Sequence, residues 1–313
     1  MAIDFRLVSV LLEYAKKELT RVPYLRQILL QALKNESKIL EIGAGGFPLC
    51  NKESHPNYRI LDFYSTEEIA KHFEHDYGIA GAKDCVFPEV DFVCKDGQLA
   101  NAVGDMRFDV VCSSHAIEHQ PCIVSHLQQI DKLLDVGGAV VFIIPEKNCT
   151  FDFLRQPSTT GEILSAYHSG RRVPKGAVVF DFFSRHINLN PVRRLTRNDN
   201  FLFSHSISDA YENFVRSLEQ DSEYIDIHNW VFTPDSFVLI VLELYMLGLS
   251  PFFPQAISEV NGNEFMCVLS RQPKPGDHEI KVLEEFRMQL YRQILWGDGF
   301  ETENQNANTE LPA

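Results

Sequence analysis

One local feature restricts the fold of this chain more than any other: a short apolar run that ends directly in a glycine-rich loop. The run covers residues 37–42, and the loop reads G-A-G-G at residues 43–46. Glycine adopts backbone angles that other residues avoid, so such a loop can turn tightly and let the backbone approach a ligand closely. In open parallel sheets, ligands bind at the carboxyl ends of the strands. The sequence therefore predicts an α/β fold with a ligand site at the end of its first strand.

The apolar runs further along the chain alternate with helical stretches. Helical spacing at residues 123–134 separates the last two of four further predicted strands, which lie at residues 58–61, 90–94, 108–112 and 139–144. Strands separated by helices pair in parallel, so the pattern favours a doubly wound α/β sheet. Near the end of the chain, residues 256–260 and 264–269 flank the turn N-G-N and predict an antiparallel hairpin.

The same pattern divides the chain into five parts. The alternation stops after the fifth strand, and the polar aromatic residues that follow indicate a helical insertion that covers one edge of the sheet as a lid. Thr233 and Pro234 mark the start of a later helix. The parts are N-terminal helices at 1–36, the sheet core at 37–147, the helical lid at 148–225, the C-terminal part of the sheet at 226–272, and a terminal helix with a disordered tail at 273–313.

Composition excludes several classes of protein. Of the 313 residues, 45% are hydrophobic and 23% are charged, which is typical of a globular chain that can bury a core. The 43 acidic residues exceed the 29 basic ones, and the net charge of −14 opposes binding to the phosphates of nucleic acids. The seven cysteines include no C-x-x-C pair, and no apolar run resembles a signal peptide or a membrane span. We therefore expect a cytoplasmic protein that binds no nucleic acid and does not insert into membranes.

The glycine loop differs from two familiar nucleotide-binding loops. The dinucleotide fingerprint G-x-G-x-x-G places its third glycine where this chain has Pro48. The loop also lacks the Lys-Ser/Thr pair of a phosphate-binding P-loop. These differences argue against a dinucleotide and against a phosphate held by a P-loop. A glycine turn that binds no ligand is an alternative.

Five short motifs in order resemble those of class I S-adenosylmethionine-dependent methyltransferases. The run E-I-G-A-G-G at 41–46 is similar to the first motif of that family. Asp62 follows the second strand, at the place of a carboxylate that accepts hydrogen bonds from the ribose hydroxyls of the cofactor. The other three motifs are D-G at 96–97 beside the adenine, F-D-V-V-C-S-S-H at 108–115 beside the methyl group, and L-L-D-V-G-G at 133–138 before the fifth strand.

This resemblance implies a fold, a cofactor and a set of cofactor-binding residues. The fold is a Rossmann-like sheet of seven strands, mostly parallel, with an antiparallel C-terminal hairpin. The cofactor is S-adenosyl-L-methionine. The residues of this chain at the binding motifs are Glu41, Gly43, Ala44, Gly45, Asp62, Phe63, Asp96, Gly97, Ser113 and Ser114.

A second resemblance concerns the methyl acceptor. The runs I-P-E-K-N-C-T-F-D at 144–152 and D-I-H-N-W-V-F-T-P at 226–234 are similar to a methyltransferase subgroup found with bacterial genes for surface polysaccharides and glycosyl transfer. That subgroup usually has aspartate where this chain has Glu146, and a large basic or aromatic pair at positions 148–149. The resemblance implies a small acceptor such as a sugar, a nucleotide-sugar or a glycan precursor.

His115 and His119 are the candidate catalytic residues. His115 follows the fourth strand, and a hydroxyl acceptor needs a base to remove its proton during transfer. His119 is the second candidate for that base, with packing against a helix as its alternative role. An acceptor that is already an anion would need only to be positioned. The same residues belong to H-x-x-E-H, a zinc-peptidase signature, but Pro121 limits any helix that runs through them.

Five other polar or aromatic residues are candidates for contacting the acceptor. The planar guanidinium of Arg155 suits a carboxylate or phosphate, and the indole of Trp230 suits a sugar face. A surface ion pair within the lid is the alternative for Asp152 and Arg155, and burial in the core is the alternative for Trp230. The full set is Asp152, Arg155, His186, His228 and Trp230.

Together these patterns predict an S-adenosylmethionine-dependent methyltransferase that modifies an oxygen of a small acceptor. They predict no bound metal. Two other classes are alternatives: an inactive S-adenosylmethionine-binding interaction protein and a zinc hydrolase. Formation of S-adenosylhomocysteine distinguishes the first, and metal analysis distinguishes the second. The sequence does not determine the acceptor atom or the oligomeric state.

Overall fold

A seven-stranded sheet forms the centre of the protein, whose structure is a computed structural model that describes residues 24–76, 87–189, 193–196, 198–219 and 223–296. The strands are β1 (Ile39–Ile42), β2 (Tyr58–Asp62), β3 (Phe92–Val93), β4 (Phe108–Ser114), β5 (Leu134–Pro145), β6 (Phe252–Ile257) and β7 (Glu264–Arg271). Their order is β3-β2-β1-β4-β5-β7-β6. The first five strands pair in parallel, and β7 is antiparallel to both β5 and β6. The predicted fold class is confirmed.

Helices cover both faces of this sheet. Successive strand residues point to opposite faces, so Leu40 and Val111 pack in one apolar layer while Ile39 and Val110 pack in the other. Parallel strands are buried on both faces, and all four residues of β1 are buried. The helices are α1 (Tyr24–Ala32), α2 (Thr66–Asp76), α3 (Leu99–Val103), α4 (Ile123–Leu133), α5 (Thr160–His168), α6 (Ala177–Arg185), α7 (Ile207–Ser217), α8 (Pro234–Met246) and α9 (Asp277–Trp296).

The strand order contains a switch point between β1 and β4. From β1 the chain moves outward to β2 and β3, and from β4 it moves the other way to β5. The loops after β1 and β4 therefore leave the sheet side by side but run in opposite directions. In open sheets such a divergence leaves a crevice at the carboxyl ends of the two strands. The predicted ligand site lies at this edge of the sheet.

Several strand ends differ from the predicted ones. β1 begins at Ile39 rather than at residue 37, and β3 has two residues rather than five because it lies at the edge of the sheet. β5 begins at Leu134, which pairs with Phe108 ahead of a register shift. β6 begins before residue 256 and includes Pro254, which an edge strand tolerates at an irregular position.

Residues 148–225 contain the three helices α5, α6 and α7, joined by loops, in the parts that the structure describes. Thr159 and Glu162 form a capping box that starts α5, and Ile163 and Ala166 of that helix pack in the main core. Helices α6 and α7 pack mainly against each other. This segment returns to the sheet through residues 223–232, which lead into α8.

The C-terminal helices follow the predicted boundaries closely. Thr233 caps α8 in a capping box with Ser236, and Pro234 occupies the first turn, where its missing N–H is not needed. Helix α9 packs on α8 through Leu290. The predicted helices before residue 24 and the predicted disordered tail lie outside the described residues. Among the helices that the structure describes, none combines the length and apolar character needed to cross a membrane.

Candidate active site

The glycine loop after β1 passes very close to the loop after β4. Gly43 and Gly45 have φ angles of +73° and +52°, a region that side chains with a Cβ atom avoid. A Cβ atom on Gly43 would lie 2.9 Å from the Cβ atom of Ala116. Glycine is therefore required at position 43 both by the backbone angle and by this contact. Ala44, between the two glycines, is buried.

Glu41 fixes the far end of the glycine loop. Its Oε2 atom accepts hydrogen bonds from the backbone N–H of Leu49, at 2.8 Å, and from the hydroxyl of Tyr58. Burial raises the pKa of Glu41 to about 7, although both hydrogen bonds lower it. Its Oε1 atom is buried without a partner among the described residues. The carboxylate that the sequence assigned to the loop thus holds the loop from inside the core.

Asp62 fixes the near end of the same loop. Its two carboxylate oxygens accept hydrogen bonds from the backbone N–H groups of Gly45, at 3.0 Å, and Tyr64, at 3.1 Å. Burial raises the pKa of Asp62 despite these bonds. The next residue, Phe63, stacks on Tyr224 with 5.1 Å between ring centroids. Residues 223–230 thus pass over the end of β2.

Asp96 and Gly97 lie in the loop after β3, at the same edge of the sheet. Asp96 is exposed, and its Oδ1 atom accepts a hydrogen bond from the backbone of Gln98 at 2.9 Å. That bond lowers the pKa of Asp96. Gly97 has a φ angle of +73°, and a Cβ atom there would meet nothing within 4 Å. Both residues are therefore exposed in the loop after β3.

Ser113 and Ser114 end β4 at the crevice. The hydroxyl of Ser113 is buried without a partner among the described residues. Ser114 accepts a hydrogen bond of 2.9 Å from Arg26 of α1, and the same guanidinium donates to the carbonyl of Phe47 in the glycine loop. Helix α1 therefore ties the loop after β1 to the end of β4.

His115 is held in an unusual backbone conformation. Its φ angle is +51°, and no other non-glycine residue in the described parts of the chain has a positive φ. Its backbone N–H donates to Ile143 of β5, and its ring Nε2 atom lies 2.9 Å from the Oε2 atom of Glu264 at the start of β7. Histidine is among the side chains that tolerate this region. The strained turn directs the ring away from β4 and towards β7.

Glu118 lies at the centre of a group of histidines. The residue is completely buried, and neither carboxylate oxygen has a hydrogen-bond partner among the described residues. Its Oε1 atom lies 3.7 Å from the Nε2 atom of His119, 3.9 Å from the Nε2 atom of His228 and 4.0 Å from the Nδ1 atom of His115. The structure therefore brings both predicted catalytic histidines together with His228, a predicted substrate residue. These three histidines and Glu118 are called the histidine cluster below.

Two aspartates hold the outer nitrogen atoms of these rings. The Nδ1 atom of His119 lies 2.7 Å from Asp226, and the Nδ1 atom of His228 lies 2.5 Å from Asp152. Burial disfavours the charged form of His119, but the bond to Asp226 and the charge of Glu118 outweigh it and raise its pKa to about 9. The raised pKa disfavours His119 as the base that takes a proton from the acceptor.

Asp152 and Arg155 form a buried ion pair with an N···O distance of 2.8 Å. The guanidinium of Arg155 also donates to the backbone carbonyl groups of His228 and Asn229. Burial raises the pKa of Asp152, but the charge and hydrogen bond of His228, together with Arg155, outweigh burial and lower it to about 2. The pair thus joins the segment after β5 to residues 226–234, here called the histidine segment. It is an ion pair, but a buried one rather than the surface pair that was the alternative expectation.

The two remaining substrate candidates occupy different surroundings. His186 lies beside Phe151, with 4.5 Å between ring centroids, and Phe151 lies 4.7 Å from His228. Trp230 is 3% exposed in the main core, where its Nε1–H donates to Gln120 and Arg171 lies over its ring. His186 therefore belongs to an aromatic wall beside the histidine cluster, whereas the geometry of Trp230 is that of a core residue.

The H-x-x-E-H run does not have the geometry of a zinc peptidase. That site needs two histidines one turn apart on an α-helix. Here Ile117–His119 is a single 3₁₀ turn, and His115 lies before it with a positive φ angle. Glu118 points inward between the histidines instead of serving as a separate base.

Two contacts of the cluster were missed by reasoning from the sequence. Glu264, which binds His115, carries no local signal beyond its place at the start of a strand. Asp226 lies two residues before His228 in the histidine segment, so its proximity to the site could have been inferred from the motif. The backbone of that segment is fixed by hydrogen bonds from Asn229 and Trp230 to the carbonyl of Glu118.

Comparisons with known proteins identify solved structures of similar topology. No family model matches the chain, and no curated protein matches it. The DhpI–SAH complex is 14% identical, with a TM-score of 0.37, over 85% of this chain and 98% of that one. The CcbJ methyltransferase from Streptomyces caelestis is 10% identical, with a TM-score of 0.37, over 86% and 95%. The trans-methyltransferase CalH in complex with SAH is 15% identical, with a TM-score of 0.37, over 84% and 58%. At this similarity the function of this chain has to be inferred from its own residues.

Proposed function

We propose that this protein transfers the methyl group of S-adenosylmethionine to an oxygen atom of a small acceptor. One observation supports the proposal: the glycine loop after β1 contacts the loop after β4, so the loop predicted to bind the cofactor lies beside the loop that carries His115. The contact is between Gly43 and Ala116, the residue that follows His115. A cofactor in the loop would therefore lie next to the histidine cluster.

The residues at the crevice fit the proposed cofactor. The backbone of the glycine loop is free of side chains at Gly43 and Gly45, and the Asp62 carboxylate lies against it. The buried hydroxyl of Ser113 has no partner among the described residues and could bind a polar group. When bound, the cofactor supplies an electrophilic methyl group. The residues that would hold it are Glu41, Gly43, Ala44, Gly45, Asp62, Phe63, Asp96, Gly97, Ser113 and Ser114.

His115 is the residue best placed to accept the proton of a hydroxyl acceptor. If Glu264 accepts a hydrogen bond from the Nε2–H group, the ring is held in the tautomer whose Nδ1 atom carries a lone pair. A base that is positioned in this way assists transfer to a hydroxyl, which is a poor nucleophile while protonated. Glu264 is then a positioning residue for His115.

The acceptor in this proposal is a sugar or a glycan precursor. The sequence resemblance of residues 144–152 and 226–234 supports it, since both runs lie at the histidine cluster through Asp152, Asp226 and His228. Phe151 and His186 add an aromatic wall on which the apolar face of a sugar ring can pack. A methyl-transfer screen against nucleotide-sugars, glycans and small carboxylates, read by mass, identifies the acceptor class.

The Asp62→Asn variant tests the cofactor part of the proposal. Loss of the carboxylate charge weakens hydrogen bonds that are worth roughly 1.5–3 kcal/mol to a charged acceptor. Calorimetry should therefore show about tenfold or greater loss of affinity for S-adenosylhomocysteine. Asp109→Asn is the matched control, because that carboxylate also accepts from a backbone N–H, at Lys38, but lies at the start of β4. Equal affinity in all three proteins would contradict the assigned cofactor site.

The His115→Asn variant tests the base. Asparagine tolerates the positive φ angle of this position but cannot accept the proton. Turnover should fall by roughly 10²–10⁴-fold, the usual contribution of a general base, while cofactor affinity stays within a fewfold. Glu264→Gln should lower kcat by a smaller factor and leave KM unchanged. Normal turnover by His115→Asn would rule out this assignment, and absence of S-adenosylhomocysteine formation with any acceptor would favour an inactive binding protein.

A further inference from the structure

The buried carboxylate of Glu118 has no hydrogen-bond donor within reach among the described residues. Buried charged groups are normally paired and hydrogen-bonded, because removal from water without such partners is costly. Glu118 is fully buried, yet the nearest ring nitrogen atoms lie 3.7–4.0 Å from it, beyond hydrogen-bond distance. This gap is too long for a direct hydrogen bond and has room for a small ion.

The two nearest histidines, His119 and His228, present their Nε2 atoms to this gap. His119 and His228 each bind an aspartate through Nδ1, so in both rings the Nε2 atom faces Glu118. Histidines that ligate metals usually donate their other ring N–H to a carboxylate, which fixes the tautomer and orientation of the ring. Both rings therefore have the second partner that a metal-ligating histidine needs.

We propose that Glu118, His119 and His228 bind a divalent transition-metal cation, with Asp226 and Asp152 orienting the two imidazoles. One ligand atom from each residue lies within 4.8 Å of the other two. Ligand atoms that share one ion at about 2.1 Å are roughly 3.0–3.5 Å apart. Closing the site therefore needs each histidine nitrogen to move towards Glu118 by a few tenths of an ångström, and the two nitrogens to approach each other by up to about 1.3 Å. The nearby charge also favours a cation, since Glu118, Asp152 and Asp226 are carboxylates, and the one guanidinium paired with this group among the described residues is that of Arg155, on Asp152.

The donor set points to the class of metal. Two imidazole nitrogens and one carboxylate oxygen suit zinc or a similar first-row cation, whereas magnesium and calcium prefer oxygen ligands only. Three protein ligands leave at least one coordination position open, which is the pattern of catalytic rather than structural zinc sites. An oxygen atom of the acceptor is the ligand that this open position would take.

The proposed site differs from the zinc-peptidase reading of the sequence. His115 is not among the proposed ligands, because its Nδ1 atom, 4.0 Å from Glu118, lies outside the group of ligand atoms that are within 4.8 Å of one another. Glu118 is a ligand rather than a base, and the third ligand comes from a segment about a hundred residues further along the chain. The site uses only residues of this chain and does not depend on the proposed methyl transfer.

Metal binding by the full-length protein tests this inference directly, without cofactor or acceptor. After removal of metal by a chelator, the protein is titrated with Zn²⁺ and with Co²⁺, and retained metal is measured after gel filtration. Wild type should retain about one equivalent. His228→Gln and Glu118→Gln should lower the affinity by roughly 100-fold or more, and Asp226→Asn by 10–100-fold, as found for residues that orient metal ligands. His278→Gln, which removes an exposed histidine on α9, should change nothing.

The outcome can be decided even if a cluster variant does not fold. X-ray absorption of the wild-type zinc protein should show nitrogen and oxygen ligands and no sulfur. Failure of wild type to retain Zn²⁺ or Co²⁺, sulfur ligation, or equal retention by folded His228→Gln and Glu118→Gln would overturn the inference. None of these results bears on cofactor affinity or on the effect of Asp62→Asn. Failure of the proposed metal site can therefore be told apart from failure of the proposed function.

Discussion

Two fully buried glutamates of this protein differ in their hydrogen-bond partners. Glu41 accepts hydrogen bonds from Leu49 and Tyr58, and burial still raises its pKa to about 7. Glu118 has three histidines around it and no hydrogen bond from any described residue. A buried carboxylate with donors serves the fold, whereas one without donors points to a missing ligand.

The raised pKa of Glu41 gives stability a defined pH dependence. The folded-state pKa lies above the usual value of 4.5, so the folded protein binds this proton more tightly than the unfolded chain. The resulting stability is fully present below about pH 4.5 and is lost as the pH rises through about 7. Glu41→Gln mimics the protonated form at every pH. Its free energy of unfolding, relative to that of wild type, should therefore rise by roughly 3 kcal/mol between pH 4.5 and pH 8.

Urea unfolding of the cofactor-free proteins at several pH values measures this difference. Histidines and other carboxylates contribute to both proteins alike, so the informative quantity is wild type minus variant. Parallel stability curves across this pH range would show that Glu41 titrates normally.

At the scale of elements, the contact between two loops matters more than either loop alone. The loop after β1 approaches the loop after β4 at Gly43 and Ala116, and α1 reinforces this contact through Arg26. The loops belong to neighbouring parallel strands, so the sheet itself sets their separation. The identity of one residue, Gly43, then decides whether the loops can pack.

Gly43→Ala should destabilise the protein more than a glycine change with backbone strain alone. Both Gly43 and Gly104 have a φ angle of +73°, but only at Gly43 would a Cβ atom meet a neighbour, 2.9 Å away. Gly104→Ala should cost about 1–2 kcal/mol for the backbone angle, and Gly43→Ala roughly 1–3 kcal/mol more for overpacking. Urea denaturation measures both, and equal losses would mean that the loop after β4 moves aside freely.

At the scale of the whole molecule, the buried pair of Asp152 and Arg155 joins two distant parts of the chain. Arg155 follows β5, and its hydrogen bonds reach the carbonyl groups of His228 and Asn229, about 70 residues later. Ser158 and Lys147 add hydrogen bonds between the same two segments. The histidine cluster therefore depends on how the helical segment between them returns to the sheet.

Arg155→Met should test this dependence. The variant keeps most of the side-chain length but removes the guanidinium from buried Asp152 and leaves His228 as its partner. Removing one member of a buried ion pair usually costs about 3–5 kcal/mol, and His228 should keep the loss near the lower end of that range. Arg185→Met is the matched control, because the Arg185–Asp181 pair has side chains 41% and 37% exposed and should contribute only about 0–1 kcal/mol. Thermal or urea unfolding compares the two. A loss in Arg155→Met no larger than in the control would show that the ion pair does not hold the segments together.

The sequence alone determined the class of fold and the edge of the sheet at which the predicted cofactor residues gather. Apolar periodicity and turn residues act over a few positions, so they specify strands, helices and caps such as Thr233. Because parallel strands place their carboxyl ends at one edge, the residues after β1, β2, β3 and β4 had to lie close together. Strand ends at the sheet edges were less well predicted, because pairing there is set by neighbouring strands rather than by local pattern.

Only the tertiary structure decided which side chains meet around Glu118. His115 binds Glu264 across a sequence separation of 149 residues, and His119 binds Asp226 across 107. Such pairs leave no periodic signal, since they depend on the path of residues 148–225 and on the antiparallel return of β7 beside β5. The histidines were therefore predictable as individual candidates, whereas their arrangement around a buried carboxylate was not.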